Sequence, residues 1–170
     1  MKYLPIFLLG LGLSTAHAQL RPRSFEAWDI FLYQPDNVLQ ERLSGSVRGL
    51  TDYMKQLMST CEASFASPPI QETLNIIVAV RPGKRSRVWF VSSRPNNTPQ
   101  RQALRRKLEA ITPCEVRGGP VAFALSYKVA GGDGKRLKNP PMPKEWEDAA
   151  KGKELLIPDG ILDIVWPAHK

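Results

Sequence analysis

The residues Val80 to Val91, VRPGKRSRVWFV, set four cations, Arg81, Lys84, Arg85 and Arg87, beside the two aromatics Trp89 and Phe90. Cations meet phosphates or other anions, and rings stack on bases or lie against apolar surfaces. Arg81, Lys84, Arg85, Arg87 and Trp89 are therefore the candidate binding residues. Candidates for catalysis are sparse. The two histidines are His17 and His169, one near each end of the chain, so a Ser-His-Asp or Cys-His arrangement would have to recruit a terminal residue. No His/Cys cluster has the spacing of metal ligands, and no cofactor is called for. The run Gly131-Gly132-Asp133-Gly134 lacks the G-x-x-x-x-G-K-[ST] pattern of a phosphate loop and reads as a surface loop. Glu145, Glu147, Asp148, Asp159 and Asp163 are close enough in sequence to pair, but their spacing nominates no acid and no base.

Which partner the cations would meet depends on compartment. The opening MKYLPIFLLGLGLSTAHAQL has one early charge at Lys2, an apolar run from about Tyr3 to Leu13, and Ala16-His17-Ala18 ahead of Gln19. That is the layout of a secretory signal peptide, and the run is too brief for an ordinary transmembrane helix. Cleavage is expected after Ala18, leaving 152 of the 170 residues and, without Lys2, a formal charge of +7 in place of +8. No later stretch reaches the roughly twenty apolar residues that span a bilayer. A periplasmic or secreted protein this basic has anionic company, from lipid headgroups and cell-wall polymers to acidic proteins, and is kept apart from most nucleic acid. In an oxidising compartment the even cysteine count predicts a Cys61–Cys114 disulfide, worth roughly 4 kcal/mol in the chain-entropy account.

The elements that must carry these residues follow from periodicity. After the signal peptide, residues 19–45 form an N-terminal arm, crowded with Phe25, Trp28, Ile30, Phe31, Leu32 and Tyr33. Edge strand, short helix and draped arm all suit that cluster. Val47, Leu50, Met54, Leu57, Met58 and Cys61 recur every three or four residues, predicting a helix over Ser46 to Glu62, and Pro68-Pro69 closes the segment. Thr73 to Val80 is a strand with Leu74, Ile76, Val78 and Val80 on one face. Pro82-Gly83-Lys84 supplies the turn, and Arg85 to Ser92 returns with Val88 and Phe90 inward, Arg87 and Trp89 on the other side. The basic stretch is thus a β-hairpin.

Thr98-Pro99 is an N-cap followed by proline at the first helical position, opening a helix to Ile111 with Ala103, Leu104, Leu108 and Ile111 inward and Arg101, Arg105, Arg106 and Lys107 around the rest. Gly118-Gly119-Pro120 turns the chain into a strand from Val121 to Val129, whose Val121, Phe123, Leu125, Tyr127 and Val129 share one face. The expected fold class is α+β: a small antiparallel or mixed three-stranded sheet with two helices packed on one face, a β-β-α-β core preceded by a helix, over residues 46–130. Residues 131–170 are expected to be an irregular basic tail, in which Leu155-Leu156-Ile157 and Ile161 to Trp166 suit short strands around the turn Pro158-Asp159-Gly160.

Leu74 to Val80, Pro82-Gly83, Val88-Trp89-Phe90-Val91-Ser92-Ser93, Ala103-Leu104, Pro113, Gly119-Pro120-Val121 and Phe123 resemble, in order and spacing, the C-terminal domain of TonB-type energy transducers. The resemblance covers about residues 73–129. It implies a periplasmic domain that recognises partners partly by strand addition. The chain departs from the family in having a cleavage site where an anchor is expected, and in lacking a long proline-rich spacer. The resemblance therefore implies a binding role rather than transduction of force.

The functional expectation is a non-enzymatic periplasmic binding or accessory protein whose partner is an envelope protein or an anionic envelope component. A carboxylate-dependent hydrolase of an envelope polymer is the enzymatic alternative. Neutralisation of an exported toxin, as an immunity protein, is another binding role that suits a small exported protein. Nucleic-acid binding ranks below these because of export.

Overall fold

Residues 25–43, 47–65, 71–132, 139–152 and 158–168 are described by the structure, a computed structural model of the chain. The proposed signal peptide and its cleavage point lie outside the described residues, as does Leu155-Leu156-Ile157. Among the described residues nine elements follow one another: β1 (Phe25–Leu32), α1 (Asp36–Arg42), α2 (Val47–Ser64), β2 (Glu72–Arg81), β3 (Arg85–Ser92), α3 (Pro99–Glu109), β4 (Val121–Val129), α4 (Lys144–Ala150) and α5 (Pro158–Val165).

The class is α+β, with an antiparallel sheet of four strands in the order β1-β4-β2-β3. The fourth strand comes from the N-terminal arm, where β1 pairs with β4 from Phe25↔Val129 to Leu32↔Phe123. Its register slips between Ala27 and Asp29, leaving Trp28 in a bulge, and that slip hid the strand's two-residue period in the sequence. The hairpin forms where expected. Arg81 pairs with Arg85 across Pro82-Gly83-Lys84, with Gly83 at φ 80° and Lys84 at φ 54°, so the turn uses the left-handed backbone that glycine adopts without cost. The cap of α3 is also as read, the Thr98 hydroxyl accepting from the Arg101 N–H with Pro99 at the first position.

On one sheet face Leu74, Ile76, Val78, Val88, Phe90, Phe123, Leu125 and Tyr127 pack against Leu50, Tyr53, Leu57 and Cys61 of α2 and Leu104 and Leu108 of α3. The inward residues read from the two-residue period are buried there. Within α2 the reading needs one exchange: Val47 is exposed, and Tyr53 is buried instead, edge-on to Phe123.

The helices are not confined to that face. Ile77, Ala79, Trp89, Ala122 and Ala124 form a second apolar surface, covered by Trp146 of α4 and by Ile161 and Leu162 of α5. The expected three-stranded sheet with two helices on one side is corrected to a four-stranded sheet covered on both. The physical reason is the run of alanines. Small side chains at Ala79, Ala122 and Ala124 leave a trough deep enough for an indole, and Trp146 in it is 1% exposed.

Residues 158–165 are likewise helical, where Ile161 to Trp166 was expected to suit a short strand. Pro158 occupies a first helical position, Asp159 favours the positive end of the helix, and Ile161, Leu162 and Val165 fall on one face at spacings of three and four. Gly132, just before the segment leading to α4, has no room for a side chain: a Cβ there would lie 2.1 Å from the Glu72 carbonyl oxygen.

The expected disulfide is absent. Cys61 and Cys114 are both free thiols. Cys114 lies beside Gly49 in the first turn of α2, where an added Cβ would be 3.5 Å from the Cys114 Cβ. Cys61 is twelve residues further along the same helix, about 18 Å at 1.5 Å per residue, whereas a bridge needs Cα atoms within about 7 Å. Burial pushes the Cys61 thiol up to about 12, against a smaller opposing effect of the Tyr127 hydroxyl, and burial also raises Cys114. These are packing cysteines with little thiolate.

Candidate functional site

The basic hairpin grips residues 163–168 of the same chain. Arg81 pairs with Asp163 at 2.8 Å, the Arg87 guanidinium donates to the Val165 carbonyl at 3.0 Å, and that of Arg85 donates to the Ala168 carbonyl at 2.9 Å. Arg81 and Arg85 also lie over the Trp166 ring, 5.3 and 6.0 Å from its centroid. The last turn of a helix leaves carbonyls without intrahelical partners and carries the negative end of the dipole, so cations at the end of α5 are well placed. Trp89 is 3% exposed, edge-on to Trp146 at 5.3 Å, and its indole N–H donates to Glu145 at 2.9 Å. Of the five candidate binding residues, Lys84 alone is exposed.

A second clamp holds the other end of α5. The Arg42 guanidinium forks onto both Asp159 carboxylate oxygens and donates to the Pro120 carbonyl at 2.6 Å; Gln34 also donates to Asp159. Close approach is possible because Arg42 lies flat on Gly119, where a Cβ would come within 2.8 Å of its Cζ. Burial pushes the Asp159 carboxyl up, but the hydrogen bond and charge of Arg42, with help from Gln34 and Arg81, outweigh it and hold the group below the usual carboxylate range.

A depressed folded-state value stabilises the fold above the unfolded value of about 3.9 and loses that contribution as pH falls through the folded one. Asp159→Asn is therefore expected to lower the urea midpoint at pH 7 and to converge on wild type as pH falls through the depressed folded-state value. A pH-independent difference between the two proteins would refute this role of the pair.

The remaining singled-out carboxylates are placed individually. Glu145 accepts from Trp89, Asp148 pairs with Lys151 on the surface, Asp163 holds Arg81, and Glu147 is exposed. The geometry brings no two of them together as an acid and base across a cleft. Among the described residues no group of three or more His, Cys, Asp or Glu side chains could hold a metal ion, and no helix is long and apolar enough to cross a membrane. His17 and His169 lie outside the described residues.

With the hairpin occupied, the sheet edges become informative. At the outer edge of β3 the Val88 N–H donates to the Glu109 carboxylate at 2.9 Å, and the Phe90 carbonyl accepts from the Asn96 amide at 2.9 Å. That edge is covered by side chains of α3 and of the turn before it. The β1 edge is different. The Tyr33 N–H reaches back to the Ala122 carbonyl of β4 at 3.1 Å, so by the two-residue alternation the backbone groups of Ile30 and Leu32 face outward. The Ile30 N–H is held by the neighbouring Asp29 carboxylate at 2.9 Å, a local guard on the edge.

Along this edge Trp28, Ile30 and Leu32 are 41%, 49% and 42% exposed, three large apolar side chains on one short strand. The Lys128 ammonium lies over the Trp28 ring, 3.2 Å from its centroid. Beside the bulge a recess of about 380 Å³ opens, lined by Ala27, Trp28, Ile30, Met58, Leu125 and Tyr127 among others. Sequence reasoning named Trp28, Ile30 and Leu32 without assigning them a strand. The signal was there, since they alternate with Phe31 and Tyr33, which turn towards the second core.

No protein-family model, no curated protein and no solved structure matches the chain.

Proposed function

We propose that the protein is an exported, non-enzymatic binding protein of the cell envelope that takes up an extended segment of an envelope protein by strand addition along β1. The observation that carries this reading is the β1 edge, with outward backbone groups, three exposed apolar side chains and an adjoining recess. Exposed apolar edges invite pairing: the main chain supplies affinity and side-chain pockets supply selectivity. The resemblance of residues 73–129 to TonB C-terminal domains implies the same mode of recognition. Export and the periplasmic setting rest on the leader-like first eighteen residues. An anionic envelope component bound at the hairpin is the weaker reading, because Arg81, Arg85 and Arg87 are engaged with the C-terminal segment.

Ile30→Pro tests the edge without touching the ladder to β4, since it removes an outward N–H and proline is tolerated at such edge positions. With a photo-crosslinker at Leu32, envelope proteins are expected to be captured by the wild type and by Lys84→Ser, and lost in Ile30→Pro. Undiminished capture by Ile30→Pro would reject strand addition at β1. Loss in Lys84→Ser with retention in Ile30→Pro would return the function to the hairpin.

A further inference from the structure

We infer that the outer edge of β3 carries a phosphate-binding site, formed by Arg101 and Arg105 of α3 with Asn96 of the turn before it. The site lies at the sheet edge opposite to β1 and is independent of strand addition there. Helix α3 runs along β3. Its Glu109 carboxylate meets the Val88 N–H, its Arg105 guanidinium lies 5.6 Å from the Phe90 ring centroid, and its Arg101 pairs with Glu72, which holds the Ser92 hydroxyl. Arg101 and Arg105, four residues apart, are neighbours on the helix surface. Asn96 joins them at the level of Phe90, its Nδ2 donating to the Phe90 carbonyl at 2.9 Å. That bond fixes which way the amide points, so its Oδ1 is an acceptor.

These three neighbours of Phe90 carry unused polar atoms. Arg101 Nη1, Arg105 Nε and Asn96 Oδ1 are buried and have no hydrogen-bond partner, and Arg101 as a whole is 6% exposed. A buried polar group without a partner is costly, and a bound water or ion is its ordinary explanation. Two N–H donors beside one acceptor suit a group that takes two hydrogen bonds and gives one. Charge separates an anion from water here. Glu72 neutralises Arg101 and Glu109 is engaged by Val88, whereas Arg105 has no carboxylate partner, and the adjoining Arg94 and Arg106 are exposed and form no ion pair among the described residues. An oxyanion that keeps a proton meets all three atoms, accepting from both guanidinium groups and donating its O–H to Asn96. Inorganic phosphate and a phosphate monoester, whose second pKa is about 6, have such a proton, and sulfate has none. Arg105 and Asn96 are half-buried at the surface, so rotation of the Arg105 arm admits the anion from solvent.

The test titrates inorganic phosphate and sulfate, at about pH 6 and constant ionic strength, into the isotopically labelled protein while the Arg105 Nε–H and the Asn96 side-chain amide are followed by NMR. Phosphate is expected to shift both signals saturably and to bind about 10-fold more tightly than sulfate, which leaves Asn96 Oδ1 unpartnered. Arg105→Gln is expected to weaken phosphate binding about 10-fold. Asn96→Ala is expected to remove the preference for phosphate over sulfate, and Arg48→Gln, on α2, to change neither. Co-sedimentation with phosphatidylcholine vesicles, with and without phosphatidate, separates the two sources of the group. Phosphatidate-dependent binding that is lost in Arg105→Gln assigns the site to a lipid headgroup, and phosphate binding without vesicle binding assigns it to the free ion. Equal binding of phosphate and sulfate by the wild type overturns the inference, as does vesicle binding unaffected by Arg105→Gln. If neither signal shifts and no vesicle binds, the inference falls and water is left as the bridging group.

Discussion

Glu72→Gln is expected to lower the free energy of unfolding by about 3–5 kcal/mol, the usual effect of stranding one member of a buried ion pair. Glu72 opens β2 and Arg101 stands in the first turn of α3; their side chains are each 7% exposed and form an ion pair. The second Glu72 carboxylate oxygen accepts from the Ser92 hydroxyl, and the Arg101 guanidinium lies 5.3 Å from the Phe65 ring centroid and 5.8 Å from that of Phe90. One cluster thus ties the end of the hairpin to the start of the helix after it. Neutralising Glu72 leaves a guanidinium among aromatic rings without its counter-charge.

The double replacement Glu72→Leu/Arg101→Met removes both charges and keeps apolar volume, so it is expected to recover most of the loss. Urea unfolding of the two single variants and the double variant at pH 7 closes the cycle. A loss below about 1 kcal/mol in Glu72→Gln would show that the pair is hydrated and contributes as a surface bridge does.

The second large effect is expected at Trp146. Trp146→Ala removes an indole packed edge-on to Trp89 and tilted against Tyr33, at centroid distances of 5.3 and 5.4 Å. Emptying a fully buried tryptophan site costs about 3–5 kcal/mol. Because α4 and α5 have seven and eight residues, neither is stable as an isolated helix, and their order depends on the trough they fill. Hydrogen exchange is therefore expected to show α4 and α5 losing protection while β2 and β4, held by the α2 side of the sheet, keep theirs. The Tyr33 hydroxyl, which donates to the Pro141 carbonyl, should not hold the segment in place alone. Unchanged protection in α4 and α5 would mean that the arginine contacts at the ends of α5 suffice.

The parts of the fold legible in the sequence are those whose signals are local. Leu74 to Val80 alternates cleanly, Pro82-Gly83 marks its turn, and Thr98-Pro99 announces a helix, so β2, β3 and α3 appear within two residues of expectation. Strand β4 falls on the expected residues, Val121 to Val129. What stayed hidden depends on partners far along the chain. Ala79, Ala122 and Ala124 read as the plain side of strands because nothing local tells a solvent-facing alanine from one that makes room for a tryptophan.

Arg81, Arg85 and Arg87 read as a binding surface for a comparable reason. Their partners, Asp163, Ala168 and Val165, are 82, 83 and 78 residues away, and carbonyl acceptors have no sequence signature. The sequence reading gave these cations an external anionic partner, whereas here they meet an acid and carbonyls of the same chain. The cysteine reading failed on distance, since compartment and parity carry no information about how far apart two thiols lie. The edge of β1 was half legible: its apolar residues stood out, while the bulge at Trp28 broke the alternation that would have named the strand.

That the hairpin holds residues 158–168 has a consequence for the order of folding. Closing contacts 78 to 83 residues apart costs chain entropy that the local β2–β3 turn does not, so the hairpin can form first and its tryptophan-lined side is sealed later.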